Sequence, residues 1–378
     1  MNILIFTNSF VKINEATSKI VSRFVLALQK ENNDILIITN NQKEESYSFN
    51  DNIEVVCLGK KDTLLNKIKR KLFSLFLPRD IFPYKSIKKK SKLPVNKFLP
   101  DIIVSFSGAF WTQKIGSFWA KKRRIPFYSF YTDPFACTKT NPKHNRPISL
   151  LKHIEKKWLK TVRSVMMPSN YKEEYDKIYP DFRHIFQKVE LPCFLDNSDT
   201  PHVYPQQKKE LLYAGGLYSE IRDVSKVIEF SDYLLKNNSE YCVTLLTDEY
   251  HKFDKTSVVA IPRKEGKEYV GYLLSCSGLI IVDNNVGIQI PSKVFEFIST
   301  GKPIILFFKN SKSKTLSILK KYKNSILLDS NTCGDKDYEK ALLFAKKTKT
   351  LPKEYLIENF KEYSFEVIYH KFKEIIEI

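Results

Sequence analysis

The stretch Pro291-Ser-Lys-Val-Phe-Glu-Phe-Ile-Ser-Thr-Gly-Lys-Pro303 decides the fold. It lies between two apolar runs, Gly278-Leu-Ile-Ile-Val282 and Ile304-Ile-Leu-Phe-Phe308. That is strand, loop, short helix, strand, the spacing of one unit of a parallel α/β sheet. Pro291 fits the first helical turn, where its missing N–H costs nothing. Gly301 closes the helix, and Pro303 stops it continuing. A helix over Pro291–Thr300 would turn free backbone N–H groups and its positive dipole end to the mouth of the sheet, where a phosphate is a natural guest. Glu296, about one and a half turns in, is placed to grip hydroxyls. A helix that only packs on its sheet remains the plainer alternative, since most such units bind nothing.

The alternation extends over the whole chain. In the first half, strands are predicted at Asn2–Thr7, Asp34–Thr39, Ile53–Leu58, Asp101–Phe106, Pro126–Tyr131 and Ser164–Pro168. Helices are predicted between them at Ala16–Lys30, Leu64–Leu77, Trp111–Lys122, Ile148–Thr161 and Tyr171–Ile178. Around Gln187–Pro205 the pattern breaks. Val189–Cys193 reads as a last strand and exit, and Asp196–Pro201 with Pro205 as a linker. A second series follows, with strands at Glu210–Ala214, Cys242–Leu246, Ser257–Ile261, Gly278–Val282, Ile304–Phe308 and Ser325–Leu328. Its helices are Asp223–Lys236, Lys267–Ser275, Pro291–Thr300, Ser311–Lys321 and Lys336–Lys346, and Ser364–Ile376 is a terminal amphipathic helix. The expected fold is α/β, two Rossmann-like doubly wound domains facing a cleft. The expected boundaries are 1–195, 206–362, and a C-terminal helix over 363–378 that packs back on the first domain. Ligands of such sheets bind outside the carboxyl ends of the strands.

Composition fits two globular domains. The chain has 378 residues, 43% hydrophobic and 13% aromatic, enough for two full cores. No apolar run approaches the ~20 residues of a membrane span. Met1–Phe6 reads as a first strand rather than a signal peptide. The six cysteines are scattered with no C-x-x-C pair, which suggests a reducing compartment and core thiols. The six histidines show no metal-ligand spacing, so no metal is expected.

The net charge is +20, and more than half of it lies in residues 60–97, where thirteen basic residues face two acids, Asp62 and Asp80. Apolar Leu64, Leu65, Ile68, Leu72, Phe73, Leu75, Phe76 and Leu77 recur there at i, i+3, i+4 spacing beside a cationic face that includes Lys67, Lys69, Arg70 and Lys71. A basic amphipathic helix of this kind is expected to dock on an anionic membrane surface, each cation contributing ~1 kcal/mol. A solvated lysine-rich face is the alternative. Nucleic acid is not the expected partner, because the apolar half is Leu and Phe in helical register rather than exposed aromatics on strands.

The second series opens with Leu211-Leu-Tyr-Ala-Gly-Gly-Leu-Tyr-Ser-Glu-Ile-Arg222. A strand ends in Gly215 and Gly216, and a loop carries Arg222 to the next helix. Glycines let backbone approach a diphosphate, and a guanidinium offers a fork to its oxygens. A glycine turn with a surface arginine is the plainer alternative.

Taken together, these segments resemble the GT-B glycosyltransferases, in particular the retaining glycosyltransferase 4-like group of bacterial surface-polysaccharide synthesis. The resemblance covers essentially the whole chain in element order. The Tyr213–Gly216 loop with Arg222 is similar to that group's diphosphate loop, and Pro291–Pro303 to its donor-binding helix. Thr132-Asp-Pro-Phe135 resembles an Asp-Pro element that faces the acceptor in many members. The resemblance implies that Glu296 holds the nucleotide ribose, and that Ser292 and Lys293 sit by the diphosphate. Gly216 and Arg222 fall where the family often has Arg and Lys, so Arg222 would serve the phosphates with less help. Where the family has the first glutamate of a Glu-x7-Glu pattern, this chain has Ile288. The hold on the donor sugar is therefore open, with backbone of 287–290 as a substitute.

The implied activity is transfer of a sugar from a nucleotide sugar, a UDP-sugar, to a saccharide acceptor that is lipid-linked. The implied place is the inner face of the cell membrane, as a peripheral cytoplasmic protein. The helix N-terminus, Arg222 and Lys293 would stabilise the leaving phosphate without a metal cofactor. In retaining members that phosphate takes the acceptor's proton, so no strong protein base is required. Asp133 is the candidate that orients or deprotonates the acceptor hydroxyl, with a simple Asp-Pro turn as its alternative. Asn8, Ser9 and Phe10 follow the first strand and are assigned a weaker acceptor-side role. Two other functions fit parts of the pattern. A nucleotide-sugar epimerase on the same scaffold would need acids and a histidine around the sugar ring. A non-catalytic polyanion-binding protein would show steep salt dependence and no nucleotide preference.

Overall fold

The structure is a computed structural model that describes residues 1–8, 10, 16–39, 52–58, 81–106, 110–136, 148–192, 209–217, 222–284 and 290–377. The chain divides into two compact units. One comprises Met1–Thr138, Lys143–Leu191 and Ile368–Ile378, and the other Lys139–Pro142 and Pro192–Val367.

The N-terminal unit carries a seven-stranded parallel sheet in the order β3-β2-β1-β4-β5-β6-β7. The strands are β1 Asn2–Thr7, β2 Asp34–Thr39, β3 Ile53–Cys57, β4 Ile102–Phe106, β5 Phe127–Phe130, β6 Ser164–Met167 and β7 Phe186–Lys188. Ile3, Leu4, Ile5 and Phe6 of β1 are all fully buried, as they must be in a parallel sheet covered on both faces. Helices α1 Ala16–Lys30, α2 Ile81–Lys90, α3 Lys92–Phe98, α4 Phe110–Arg123, α5 Ile148–Leu159 and α6 Ser169–Ile178 accompany it. The edge strand differs from expectation. Phe186–Lys188 pairs with β6; of the predicted Val189–Cys193, Cys193 lies outside the described residues and Val189 N–H donates to Met167 O.

The C-terminal unit carries six parallel strands in the order β10-β9-β8-β11-β12-β13. These are β8 Lys209–Ala214, β9 Tyr241–Leu246, β10 Val259–Ile261, β11 Gly278–Val282, β12 Ile304–Phe308 and β13 Ser325–Asp329. Its helices are α7 Ser225–Lys236, α8 Gly266–Ser275, α9 Lys293–Ile298, α10 Lys314–Leu319, α11 Asp335–Lys347 and α12 Lys353–Phe360. Side chains alternate between faces along each strand. Leu211, Tyr213, Ile280, Ile305 and Phe307 join one core with Phe230 of α7 and Ala341 of α11. Leu212, Leu279, Ile281, Ile304 and Leu306 join the other with Leu273 of α8, Phe297 of α9 and Leu319 of α10. Two covered faces on a parallel sheet make this unit doubly wound, and both sheets have the Rossmann-like order.

The last helix, α13, spans Phe365–Ile376. Phe372 is fully buried with its ring 4.6 Å from Phe24 of α1, and Lys373 pairs with Glu31 at 2.7 Å. From Ile368 onward the helix thus belongs to the core of the N-terminal unit.

Helix α9 is shorter than the predicted Pro291–Thr300. Its end tightens into i→i+3 bonds, Thr300 N–H to Phe297 O and Gly301 N–H to Ile298 O. Gly301 then takes φ +72°, where a Cβ would also meet Leu351 O at 2.5 Å. The predicted helix Leu64–Leu77 lies outside the described residues, as do Lys67, Lys69, Arg70, Lys71, Phe73 and Phe76.

Candidate functional site

In the C-terminal sheet, β8 and β11 are neighbours, in register Leu211↔Gly278. The chain leaves β8 toward α7 on one face and leaves β11 toward α9 on the other. The loops diverge at the carboxyl ends of these two strands, which is where open α/β sheets leave a crevice. Gly215, Gly216 and Arg222 come from the β8 loop. Asp283, Asn284, Ser292, Lys293 and Glu296 come from the β11 loop and α9.

Arg222 ties the two loops together. Its Nε donates to Asn284 Oδ1 at 2.9 Å and its Nη1 to Gly216 O at 3.1 Å. The Tyr213 hydroxyl donates to the same Gly216 carbonyl at 3.2 Å. A Cβ on Gly215 would meet Arg222 Nη1 and Tyr213 Oη at 3.6 Å, ordinary contact distance, so this glycine is not demanded by the packing around it. Asp283 is buried at 4% exposure. Its Oδ1 accepts from Asn284 N–H at 2.8 Å, while Oδ2 has no hydrogen-bond partner among the described residues. Burial raises its carboxyl above the ordinary range; nearby Ser313 and Thr315 hydroxyls and the Arg222 guanidinium offset only part of that.

The second cation belongs to a closed triad. Lys293 Nζ donates to Glu296 Oε2 at 2.7 Å and to the Tyr269 hydroxyl. The Tyr269 hydroxyl donates to the same Glu296 oxygen at 2.9 Å. The ammonium also sits 3.9 Å from the centre of the Tyr269 ring, a favourable cation–π position. Burial, followed by the Glu296 charge, holds the Tyr269 hydroxyl well above its ordinary pKa. Ser292 takes helical angles and makes no side-chain cap bond, so the first turn starts at Pro291, whose carbonyl accepts from Val294 N–H. Ile288 lies outside the described residues.

In the N-terminal sheet, Asn8 follows β1. Its Oδ1 accepts from Trp111 Nε1 at 3.0 Å, which fixes it against the first turn of α4. Phe10 is 1% exposed and belongs to the core, so it can anchor this loop but not present a face to an acceptor. Ser9 lies outside the described residues. Asp133, after β5, is exposed, yet it lies low among surrounding atoms, and desolvation raises its carboxyl. Thr132 beside it is buried, 3.3 Å from Thr17 Oγ1.

No protein-family model matches the sequence, and no curated protein matches it. Solved structures do. The chain is similar to sucrose-phosphate synthase from Thermosynechococcus elongatus, with a TM-score of 0.71 at 12% identity, over 100% of this chain and 98% of that one. It is similar to Anabaena HepE in complex with UDP and glucose, TM-score 0.63 at 11% identity, over 100% and 99%. It is also similar to the catalytic domain of starch synthase IV from Arabidopsis thaliana bound to ADP and acarbose, TM-score 0.61 at 9% identity, over 100% and 99%. The fold is that of the GT-B glycosyltransferases. At these identities the likeness shows the fold alone.

Within the GT-B fold, the sequence pattern had singled out both sides of the C-terminal crevice, Arg222 on one and Lys293 with Glu296 on the other. It missed Tyr269, which reads as part of the apolar stripe of α8, and it noted Asn284 only as a neutral loop residue. Among the described residues no three His, Cys, Asp or Glu side chains gather as metal ligands.

Proposed function

We propose that this protein is a glycosyltransferase of the retaining, glycosyltransferase 4-like group. It would move a sugar from a UDP-sugar to a saccharide acceptor, lipid-linked, in surface glycan synthesis. The observation that carries this is the pair of cations, Arg222 and Lys293, offered from the two loops that diverge at the switch point of the C-terminal sheet. Beside Lys293 stands a carboxylate, Glu296. A diphosphate needs the first two and a ribose the third. The likeness to HepE, solved with UDP and glucose, supports the same choice.

In the proposed reaction the bond between the sugar's anomeric carbon and the diphosphate oxygen breaks, and the acceptor hydroxyl oxygen bonds to that carbon. The hydroxyl proton passes to the departing phosphate. Negative charge grows on the phosphate, where Arg222, Lys293 and Ser292 would meet it. Lys293 must first exchange Glu296 for phosphate, which releases Glu296 to the ribose hydroxyls. Asn8 and Asp133 of the N-terminal unit would serve the acceptor, with Asp133 orienting its hydroxyl.

Membrane association is the further part of this proposal. Among the described residues no helix is long and apolar enough to cross a membrane. Helix α2 ends in Lys88, Lys89 and Lys90, and α4 in Lys121, Lys122 and Arg123. Next to α2, Leu93 and Leu99 are 65% and 59% exposed. Apolar side chains set among cations suit an anionic leaflet.

A binding and hydrolysis screen over UDP-, GDP- and CMP-sugars tests the function. UDP-sugars should bind best and be hydrolysed slowly without acceptor. Absence of binding to every nucleotide sugar would contradict the proposal.

A further inference from the structure

Among the described residues the N-terminal unit buries two carboxylates that the proposed reaction does not use, Glu190 and, more deeply, Glu155. Glu155, on α5, is 0% exposed. Its Oε1 takes the hydroxyls of Tyr131 and Tyr175, each at 3.0 Å, and its Oε2 takes that of Tyr179 at 2.7 Å. The Ala136 N–H also bonds to it. Two of the hydroxyls have no choice of direction. Tyr131 Oη already accepts from Trp158 Nε1 at 2.9 Å, and Tyr175 Oη from Phe135 N–H at 2.9 Å. Each therefore turns its own proton to Glu155.

These bonds converge on one turn. Tyr131 opens it, Phe135 and Ala136 close it, and Asp133 stands exposed between them. We propose that Glu155 is the positioning residue of this turn, holding both of its ends and so fixing where Asp133 presents its carboxylate. Four donors fill the acceptor sites of an ionised carboxylate and overfill those of a neutral acid. Burial works the other way and raises Glu155 to about 7 against the pull of its four donors, Tyr179 first. Among the described residues, the titratable groups facing it are Tyr131, just after β5, Tyr175 of α6, and Tyr179, the residue that follows α6. Asp133 is the one charged side chain of the turn. Because the two Oε1 bonds are fixed in direction, a proton arriving on Glu155 goes to Oε2 and reverses the Tyr179 bond. Protonation thus reverses one bond of the turn, and because the buried carboxyl is raised, the closed turn favours the protonated form over the ionised one.

The value of Asp133 to an acceptor rests on the proposed function, but the placement of the turn does not, and the two are separable by experiment. The indole N–H resonance of Trp158, one hydroxyl removed from Glu155, should titrate in the wild-type protein with a midpoint of about 7. In Glu155→Gln that titration should vanish, and amide exchange at Phe135 and Ala136 should accelerate at least tenfold. UDP affinity, read by calorimetry, should change less than twofold. Tyr179→Phe removes a bond that favours the ionised form, so its Trp158 midpoint should move up; this variant serves if Glu155→Gln does not fold. Unchanged exchange at both amides in Glu155→Gln, or a midpoint unmoved in Tyr179→Phe, overturns the proposal. Failure of UDP to bind the wild-type protein would remove the proposed function and leave the exchange result standing.

Discussion

Arg222 donates its Nε to Asn284 Oδ1 at 2.9 Å, and so joins the loop after β8 to the loop after β11 across the switch point. The guanidinium is held by neutral acceptors, Asn284 and the Gly216 carbonyl. Its charge is thereby aimed without being cancelled by either of these bonds. Arg222→Lys loses the planar fork and cannot keep both bonds. We expect UDP affinity to fall by ten- to a hundredfold in Arg222→Lys and by about tenfold in Asn284→Ala, the worth of one hydrogen bond to a charged group. Calorimetry on both variants checks this, and equal affinities in all three proteins would remove the bridge from the site.

The Lys293–Tyr269–Glu296 triad makes a different prediction. Tyr269→Phe keeps the ring under the ammonium and deletes the hydroxyl. It should cost about 1 kcal/mol of stability, the net value of a typical hydrogen bond, together with several-fold weaker UDP binding. Tyr269→Ala also loses a side chain that is 5% exposed and should cost about 3–5 kcal/mol. Urea melts of the two variants separate these terms. A Phe variant as damaged as the Ala variant would mean that the hydroxyl, not the ring, organises the triad.

Glu155 sets a pH dependence of stability. Its carboxyl is raised from 4.5 to about 7 in the folded state. Between those values the folded chain binds a proton that the unfolded chain has lost, so this group's contribution to stability falls as pH rises from 4.5 through 7 and is level above. The full excursion is on the order of 3 kcal/mol. The difference in unfolding free energy between wild type and Glu155→Gln, measured from pH 4 to 8, should follow that slope. A flat difference curve would mean that Glu155 ionises in the fold as it does in water.

Membrane docking is testable on described residues. Leu93 and Leu99 are exposed, and Leu99 sits at φ +51°, an angle that asparagine adopts more readily. Leu93→Ser with Leu99→Asn should leave the melting temperature unchanged or slightly raised. Binding to phosphatidylglycerol vesicles should weaken by about tenfold, the scale of partial burial of two leucines. Neutralising Lys67, Lys69, Arg70 and Lys71 should release the protein further. Vesicle binding indifferent to both sets of changes would remove the docking surface.

Much of the fold was legible because fully buried strands carry an unambiguous pattern. Gly278–Val282 and Ile304–Phe308 form strands residue for residue as their apolar runs predict. Helix α1 likewise matches its expected bounds. Short helices were harder. α2 and α3 carry Pro83 and Pro94 and a run of lysines, which conceal a helical period, and α12 has only eight residues. The site was half legible. Arg222, Lys293 and Glu296 stand in short segments with turn chemistry. Phe10 read as a loop residue because strand ends often face ligands, but packing took it into the core. Tyr131, Glu155, Tyr175 and Tyr179 come together only through the tertiary fold, and Glu155, amid His153 and Lys156, looks like one charge of a solvated helix face.

The most direct test is a crystal structure with a bound UDP-sugar. The diphosphate should lie on Arg222 and Lys293, with the Lys293–Glu296 bond opened and Glu296 turned to the ribose. A nucleotide found away from the carboxyl ends of β8 and β11, with that ion pair still closed, would contradict the account.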